Sequence, residues 1–527
     1  MRESLESLLD TPIWKTLPSQ EAGRPWLKYL ILVPLCRLAF IAFFIIVLVP
    51  IASQSLFGTA EATLNKCLTS HLMLLAVLTP IVGAVVYDLG REVVVMRKLL
   101  RGRQRAELPT DRPLLTHAVV ITEYKEPLDV LAATVASLQE QTLAHNTIVV
   151  LAQEARDAGA EETFLSLKAA AEKSFFRFMC TRHELQPGEV AGKSSNENFA
   201  VRQLYRRVLD MGLDPFNVMV TVADADSYFD GVFLEQVESE FWRTPDGRRM
   251  LFDSPINTVR NLAECNLLVQ CYEIYRCQTV TFNHLTMQPC QSNYSMMLGF
   301  AHELNYWDPD NTSEDMHTTL KAIAYTSAPA DCVVTVWSLI MNDSVTGFQD
   351  RWVQAKRHMW GVEEVAWMIS LFPVLRWRVW CRMLGIMQEH LLNAAIPSWT
   401  FLCFPQTWRV LMDLGPSTLS LVLAGCILLF CYGWVKFFAR EAFMQKYILG
   451  HRRDIMVPME WWRWAILVLT YPIVLPIAQT IFVTVAVWRM LWHAVFHSQL
   501  KYVTAPKQFS PKAAVEMGAS FSFTGDA

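Results

Sequence analysis

The stretch Val218–Asp226 reads VMVTVADAD. Of its first six residues, five are apolar, including three valines, and the remaining one is Thr221. This composition is typical of a buried strand. Because side chains alternate between the two faces of an extended chain, Asp224 and Asp226 are predicted to converge on one point. Two carboxylates at the C-terminal end of a buried strand suit a hard divalent cation that bridges to a phosphate group. The alternative is an Asx-rich turn that only closes the strand.

The composition indicates a membrane-associated protein. Of the 527 residues, 52% are hydrophobic and 18% are charged, which is too apolar for a soluble enzyme of average surface. The net charge of -4 predicts no nucleic-acid partner. The 12 cysteines include no C-x-x-C pair, so reduced, packed thiols are expected rather than a zinc site or a disulfide framework.

Two apolar runs near the N-terminus, Tyr29–Ala52 and His71–Tyr87, are long enough to cross a bilayer. The linker Ser53–Ser70 carries one basic residue, whereas arginines and lysines are frequent directly after the second run. The positive-inside rule therefore places the N-terminus and everything after Tyr87 on the cytosolic side. Residues 1–107 are predicted to be a tail and two transmembrane helices of a multi-pass protein.

Residues 362–508 are predicted to return to the membrane. Val362–Leu384 mixes tryptophans with arginines, as in an amphipathic helix that lies in the interface. Candidate spans follow at Ile386–Phe404 and Ser417–Phe437. The last apolar stretch, Trp464–Trp492, contains two prolines and is either one kinked span or a re-entrant pair. Residues 509–527 are expected to be a disordered tail.

Residues 108–361 are predicted to form a soluble α/β domain with a doubly wound, mostly parallel sheet. Apolar strand-like runs alternate there with segments of helical periodicity, a pattern typical of a parallel sheet covered on both faces. The predicted strands are His117–Thr122, Thr147–Leu151, Phe175–Thr181 and the one that ends at Asp224, and the clearest predicted helices are Leu128–Leu138 and Asn196–Leu213. No glycine-rich phosphate loop accompanies them, so a phosphate site must be built from metal and side chains.

Two further polar segments each begin a predicted helix. Gly192–Asn198 places a lysine and two asparagine amides at a helix N-terminus, which suits an anion, although a solvated helix cap explains it equally. In Asn311–His317, Ser313 can cap a helix whose first turn holds Glu314 and Asp315. Either these carboxylates only complement the helix dipole, or one of them accepts a proton from an attacking hydroxyl.

The segment Gln354–Gly361 ends the soluble domain beside the membrane. Its amide, its two cations and its aromatic ring can hold a sugar and a diphosphate. A basic aromatic belt at the membrane surface is the competing interpretation.

Together these segments resemble those of the membrane-integrated family-2 glycosyltransferases with a GT-A fold, the group that contains the cellulose, chitin and hyaluronan synthases. Five motifs carry the resemblance. T-Y-N-E is similar to Glu123–Glu126, K-A-G-x-x-N to Lys193–Asn198, D-x-D to Asp224 and Asp226, T-E-D to Ser313–Asp315, and Q-x-x-R-W to Gln354–His358.

The resemblance implies inverting transfer of a sugar from a nucleotide-diphosphate sugar, expected to be a UDP-sugar, to a glycan or lipid acceptor at the bilayer. It implies nucleotide-sugar contacts at Tyr124, Glu126, Glu154, Lys193, Asn196 and Asp224. It implies Mg²⁺ or Mn²⁺ on Asp224 and Asp226, a catalytic base at Asp315, and acceptor or diphosphate contacts at Glu314, Gln354, Arg357, His358 and Trp360. The oligomeric state is left open.

Two positions depart from the family pattern. The family's D-D-G is replaced by Ala152-Gln153-Glu154, so Glu154 is the candidate substitute for the aspartate that helps to hold the base. His358 stands where a tryptophan stacks on the acceptor sugar, and Trp360 would point about 200° away from it on a helix. The rival hypotheses are a transporter or scaffold that carries an inactive transferase-like domain, and a nucleotide-sensing regulator.

Overall fold

The computed structural model describes residues 89–257, 260–282, 289–326, 332–362, 364, 367, 383, 412, 427, 431–443 and 457–496. The predicted spans Tyr29–Ala52, His71–Tyr87 and Ile386–Phe404 and the tail 509–527 lie outside these residues. So do most of the predicted interfacial helix and most of Ser417–Phe437.

A mixed, mostly parallel sheet of seven strands forms the centre of the α/β domain, in the order β3-β2-β1-β4-β8-β6-β9. The strands are β1 Thr116–Glu123, β2 Thr147–Glu154, β3 Arg177–His183, β4 Val218–Asp224, β6 Leu251–Asp253, β8 Tyr294–Met297 and β9 Val333–Thr335. β1 pairs in parallel with both β2 and β4, so Thr122 lies opposite Ala152 on one side and Asp224 on the other. The ends of these strands therefore meet at one edge of the sheet.

The other half of the sheet contains the antiparallel strand. β8 runs antiparallel to β4 and β6, and β9 is parallel to β6. A second, three-stranded sheet joins β5 Tyr228–Phe229, β10 Ile340–Met341 and β7 Ile256–Asn257. Because β5 begins only four residues after β4 ends, this small sheet lies directly beyond Asp224.

Helices pack on the sheet, and its central strands are apolar over most of their length. The helices of the α/β domain are α1 Leu128–Gln139, α2 Ala160–Ala171, α3 Lys193–Asp210, α4 Phe233–Arg243, α5 Leu267–Phe282, α6 Leu298–Glu303, α7 Glu314–Thr326 and α8 Phe348–His358. Val119, Val149 and Val220 are at most 1% exposed. A parallel strand buried on both faces has no polar face to alternate with, as the uninterrupted valine runs predict.

Several element boundaries differ from the predicted ones, and β2 in particular continues to Glu154 instead of ending at Leu151. The third strand lies two residues later than predicted, because Glu172–Ser174 forms a short 3-10 turn before it and Arg177–His183 pairs with Ile148–Glu154. Helix α3 begins at Lys193, three residues earlier than predicted. Lys193 is therefore the first residue of its helix.

One helix in the described part of the chain is long and apolar enough to cross a membrane. It covers Trp461–His493, with a mean hydropathy of 2.1 and 28% of its most apolar window buried. α9 Trp461–Gln479 continues through a π-helical segment, Thr480–Val485, into α10 Ala486–Phe496. The stretch is thus a single helix rather than a re-entrant pair, and its π-helical segment begins four residues after the second proline, Pro476.

This helix packs against the α/β domain. Tyr272 of α5 lies edge to face with Phe482 of the π-helical segment, with 5.3 Å between the ring centroids. Ala355 of α8 and Ala486 of α10 are buried in the same apolar cluster. Helices α5 and α8 therefore contact the candidate membrane helix, and α5 also contacts β7 of the three-stranded sheet.

Candidate functional site

Asp224, the last residue of β4, is held from two neighbouring segments. Its backbone N–H donates to the side-chain oxygen of Asn293 at 2.8 Å, and Asn342 donates its Nδ2 to Asp224 Oδ2 at 3.3 Å. The Asp224 side chain keeps 26% of its surface exposed. The strand thus delivers a carboxylate that is fixed in position and still open to a ligand.

Lys193 joins three of the sequence-predicted segments. Its Nζ lies 2.9 Å from Asp224 Oδ1 and 3.0 Å from Glu314 Oε1, and it donates to the backbone oxygen of Ser292 at 2.5 Å. Glu197, one turn along α3, is 3.7 Å away. Burial alone would lower the pKa of Lys193, but Asp224 and Glu314 raise it well above its ordinary value. Lys193 is therefore a permanent cation. We call the oxygen atoms of Asp224, Ser292, Glu314 and Glu197 that surround its ammonium group the Lys193 cage.

Asp315 lies beside this cage. Its Oδ2 accepts the backbone N–H of Ser292 at 3.0 Å, and its Oδ1 accepts that of Met316 at 2.7 Å. Burial raises the pKa of Asp315, while these two backbone hydrogen bonds lower it. Ser292 therefore connects Lys193 to Asp315, because its carbonyl oxygen accepts from the lysine and its backbone N–H donates to the carboxylate.

The cage holds more carboxylates than cations. Burial raises the pKa of Glu314 to about 7, against the opposing effect of Lys193. Burial also raises the pKa of Glu197 well above its ordinary value, and neither of its carboxylate oxygens has a hydrogen-bond partner in the described structure. Glu197 lies within the predicted anion-binding segment Gly192–Asn198 but was not itself predicted as a site residue. Ser292, Asn293 and Asn342 were not predicted either, because they belong to no local motif.

Asp226 is placed differently from Asp224. It is 1% exposed and lies in the turn beyond β4, where its Oδ2 accepts the backbone N–H of Asp343 at 3.0 Å. Asp343 in turn accepts two hydrogen bonds from Arg260 at 2.8 and 2.5 Å. Because the strand ends at Asp224, the alternation of an extended chain does not extend to Asp226. Asn342 nevertheless contacts Asp224, and the next residue, Asp343, contacts Asp226, so one short segment holds both aspartates.

The oxygen atoms around Lys193 are suitable ligands for a hard cation. Within the described ranges, no three His, Cys, Asp or Glu side chains are grouped so as to hold a metal. Mg²⁺, however, is usually bound through one or two carboxylates together with substrate phosphates. Asp224 is partly exposed and its Oδ1 already contacts a cation, the Lys193 ammonium. The residues present therefore fit a divalent ion that arrives with a diphosphate.

The predicted nucleotide contacts lie at the neighbouring strand ends. The Arg156 guanidinium stacks 4.1 Å from the Tyr124 ring centroid, and its Nε donates to Glu154. Asn196 donates its Nδ2 to the backbone oxygen of Ala152 at 2.8 Å, so this amide attaches α3 to β2. Glu126 lies in the loop after β1, partly exposed.

A cavity of about 600 Å³ lies beside this group, at the ends of β2 and β3. Asp157, Arg182, Phe199 and Arg202 are among its lining residues. Asp157 also accepts the backbone N–H of Lys125 at 3.0 Å, in the loop that carries Tyr124. The cavity therefore borders the predicted nucleotide contacts rather than the Lys193 cage.

The predicted acceptor residues lie on α8 and in the turn Met359–Val362. Gln354 Oε1 accepts from Arg351 at 2.6 Å, within the helix. Burial and the nearby Arg351, Arg276 and Arg357 hold the pKa of His358 well below its ordinary value, so this ring is neutral. Trp360 lies in the turn, and the contacts of its side chain fall outside the described part.

Comparison with known proteins gives structural neighbours only. No protein-family model matches the chain, and no curated protein sequence matches it. The mannosyltransferase PcManGT of Pyrobaculum calidifontis, solved with GDP-Man and Mn²⁺, is 12% identical with a TM-score of 0.36, over 75% of this chain and 96% of its own.

Two more glycosyltransferases are similar at the same level. GalNAc-T7, solved with UDP, GalNAc and Mn²⁺, is 12% identical with a TM-score of 0.31, over 56% of this chain and 59% of its own. Residues 1–349 of S. aureus TarS are 11% identical with a TM-score of 0.32, over 67% of this chain and 92% of that fragment.

Proposed function

We propose that this protein is a membrane-integrated glycosyltransferase with a GT-A type domain of family 2. It transfers a sugar from a nucleotide-diphosphate sugar, with inversion, to a glycan or lipid acceptor. The observation that carries the proposal is the meeting of Lys193, Asp224, Glu314 and Asp315. These residues come from three segments far apart in the chain, and they meet where parallel strands end, which is where α/β sheets bind ligands.

Asp224 is the residue that would hold a divalent ion at the donor diphosphate, and Asp226 would support it through the Asn342–Asp343 pair. Mg²⁺ or Mn²⁺ bound there would supply positive charge that stabilises the leaving diphosphate. Lys193 adds a fixed positive charge at the same place, and Arg357 of α8 is proposed to add a second one. Lys193 must then exchange part of its contact with Glu314 or Asp224 for the donor.

Asp315 acts as the general base. The acceptor hydroxyl oxygen attacks the anomeric carbon from the face opposite the diphosphate, and its proton passes to Asp315. The bond between that carbon and the diphosphate oxygen breaks, and the nucleoside diphosphate leaves with the electron pair. The two backbone N–H groups that bond Asp315 favour its ionised form and fix its orientation, as proton transfer requires.

The remaining predicted residues take roles around this centre. Tyr124, Glu126, Glu154 and Asn196 border the nucleotide, with uracil as the expected base. Gln354, His358 and Trp360 border the acceptor on the side of the candidate membrane helix. In this proposal, residues 1–107 and 362–508 hold the domain at the cytosolic face of a multi-pass protein.

The test is incubation of the full-length protein in lipid with a panel of nucleotide sugars and Mn²⁺. Free nucleotide and product mass are measured together. We expect one donor to give both nucleotide release and a product heavier by one or more sugar units. Absence of metal-dependent donor binding would favour the transporter or scaffold, and binding without transfer or hydrolysis would favour a nucleotide-sensing regulator.

A further inference from the structure

His317, two residues after Asp315 on α7, is 1% exposed and lies between two carboxylates. Its Nε2 is 2.5 Å from Asp308 Oδ2, and its Nδ1 is 2.6 Å from Glu364 Oε2. An ionised carboxylate only accepts hydrogen bonds, so with both carboxylates ionised both ring nitrogens donate. Burial lowers the pKa of His317, but Glu364 and Asp308 raise it to about 10, so the ring between them is an imidazolium.

A second layer of contacts balances the charge. Lys321 Nζ lies 2.7 Å from Asp308 Oδ1 and donates to the backbone oxygen of Tyr306 at 3.1 Å. Asn311 donates its Nδ2 to Glu364 Oε1 at 2.9 Å. Two cations thus face two carboxylates, and each carboxylate accepts from two partners. A buried ionic network needs this degree of satisfaction to hold one geometry.

The network connects the segments of the proposed active site. Asp308 also accepts, through its backbone oxygen, the hydroxyl of Ser194 at 2.6 Å, and Ser194 follows Lys193 on α3. Glu364 follows α8 by six residues, and the nearby Trp367 ring lies 4.5 Å from the His317 ring. Helix α7, the start of α3 and the segment after α8 are therefore joined through one imidazole ring and its two carboxylates.

We propose that His317 is a positioning residue that fixes α7, and with it Asp315, relative to Lys193 and to the segment that follows α8. It contacts no reacting atom and acts through Asp308 and Glu364. The charged His317 ring joins Asp308 to Glu364, and we call this connection the cross-brace. A neutral side chain of similar size keeps at most part of the arrangement of the two carboxylates. The role assigned to Asp315 rests on the proposed function, whereas the cross-brace itself does not.

The test compares His317→Gln with His117→Gln in the full-length protein in lipid. His117 is the matched control, because it is fully buried, lies 3.2 Å from Glu238 Oε2 and is at the opposite end of β1 from the site. We expect His317→Gln to lower kcat by about 10- to 100-fold, the size of effect that a small misplacement of a catalytic group produces. The donor KM should change little. His117→Gln should lower Tm and leave kcat near the wild-type value.

A double-mutant cycle with Glu364→Gln separates positioning from general loss of structure. We expect the His317→Gln/Glu364→Gln variant to lose no more kcat than His317→Gln alone, and its Tm loss to be smaller than the sum of the single losses. If His317→Gln does not fold, Glu364→Gln provides the same kcat and KM comparison, because it leaves the bond to Asp308 in place.

Wild-type kcat in His317→Gln, or a kcat loss equal to that of His117→Gln at the same Tm, would overturn the positioning role. Additive Tm losses in the cycle would overturn the cross-brace itself. If the wild-type protein transfers no sugar but the Tm losses are coupled, the cross-brace stands and the proposed function fails.

Discussion

At the residue scale, the site depends on Lys193. The sequence predicts that Lys193 attracts an anion. In the structure its ammonium group lies among carboxylates that neutralise its charge. Its helix, its contact with Glu197 one turn along that helix and its position beside Asp224 follow from local spacing and motif order. Its contact with Glu314 does not, because that segment reaches Lys193 only through the packing of the whole domain.

Replacing Lys193 by methionine should destabilise the protein strongly. The change keeps the aliphatic stem but leaves Asp224, Glu314 and Glu197 without their shared cation, and removing one partner of a buried ion pair costs about 3–5 kcal/mol. Thermal and denaturant unfolding in detergent measure the loss. Lys168→Met is the control, because Lys168 and Glu172 form an exposed pair at 3.6 Å that is worth about 0–1 kcal/mol. Equal losses in the two variants would show that the cage is not held by charge.

The stability of the folded protein is predicted to depend on pH through Glu123. Burial raises its pKa from 4.5 to about 7, although a hydrogen bond from Gln153 at 2.6 Å opposes the shift. The folded protein therefore binds this proton more tightly than the unfolded chain, so Glu123 makes stability fall as pH rises from about 4.5 to 7. Glu123→Gln should gain stability relative to wild type across this window, as measured by unfolding at several pH values. A difference that does not change with pH would contradict the assignment.

At the element scale, strand and helix types were predictable where one physical signal dominated. The valine-rich strands β1, β2 and β4 occur where the sequence predicted them, because burial on both faces leaves continuous apolar runs. The short strands β6 to β9 were not predicted. Each has four residues or fewer, and their pairing is decided by long-range contacts that leave no periodicity.

The segment before β8 is the element that links Asp224 to Asp315. Asn293 accepts from the backbone N–H of Asp224 and donates to Ser227 at 2.8 Å. Asn293→Ala should weaken metal-dependent donor binding and cost about 1–3 kcal/mol of stability, because a buried N–H loses its acceptor. Isothermal titration with donor and Mn²⁺ measures the first effect and unfolding measures the second.

Asn146→Ala is the matched control for this segment. Asn146 donates to the backbone oxygen of Leu115 at 2.6 Å, just before β1 and at the opposite end of that strand from the site. We expect it to lower stability without changing donor affinity. If both variants weakened donor binding equally, the segment before β8 would have no special role in holding Asp224.

At the scale of the whole molecule, the mostly parallel sheet and the convergence of Lys193, Asp224 and Asp315 follow the expectation set by the motif order. The position of Asp226 shows the limit of that reasoning, because an alternation rule holds only while the chain remains a strand. Within the described residues, the helix Trp461–His493 is long and apolar enough to cross a membrane, and it packs on α5 and α8. That this helix and the other predicted spans cross a bilayer remains a prediction.

The central claim is that Asp224 binds the donor and Asp315 activates the acceptor within one site. The most direct measurement is Mn²⁺-dependent donor binding and sugar transfer, made in parallel on Asp224→Asn, Asp315→Asn and the exposed control Asp111→Asn. Asp315→Asn should keep donor affinity and lose about 10²–10⁴ in turnover, Asp224→Asn should lose metal-dependent binding, and the control should match wild type. Near wild-type turnover in Asp315→Asn, or unchanged metal-dependent binding in Asp224→Asn, would contradict the account.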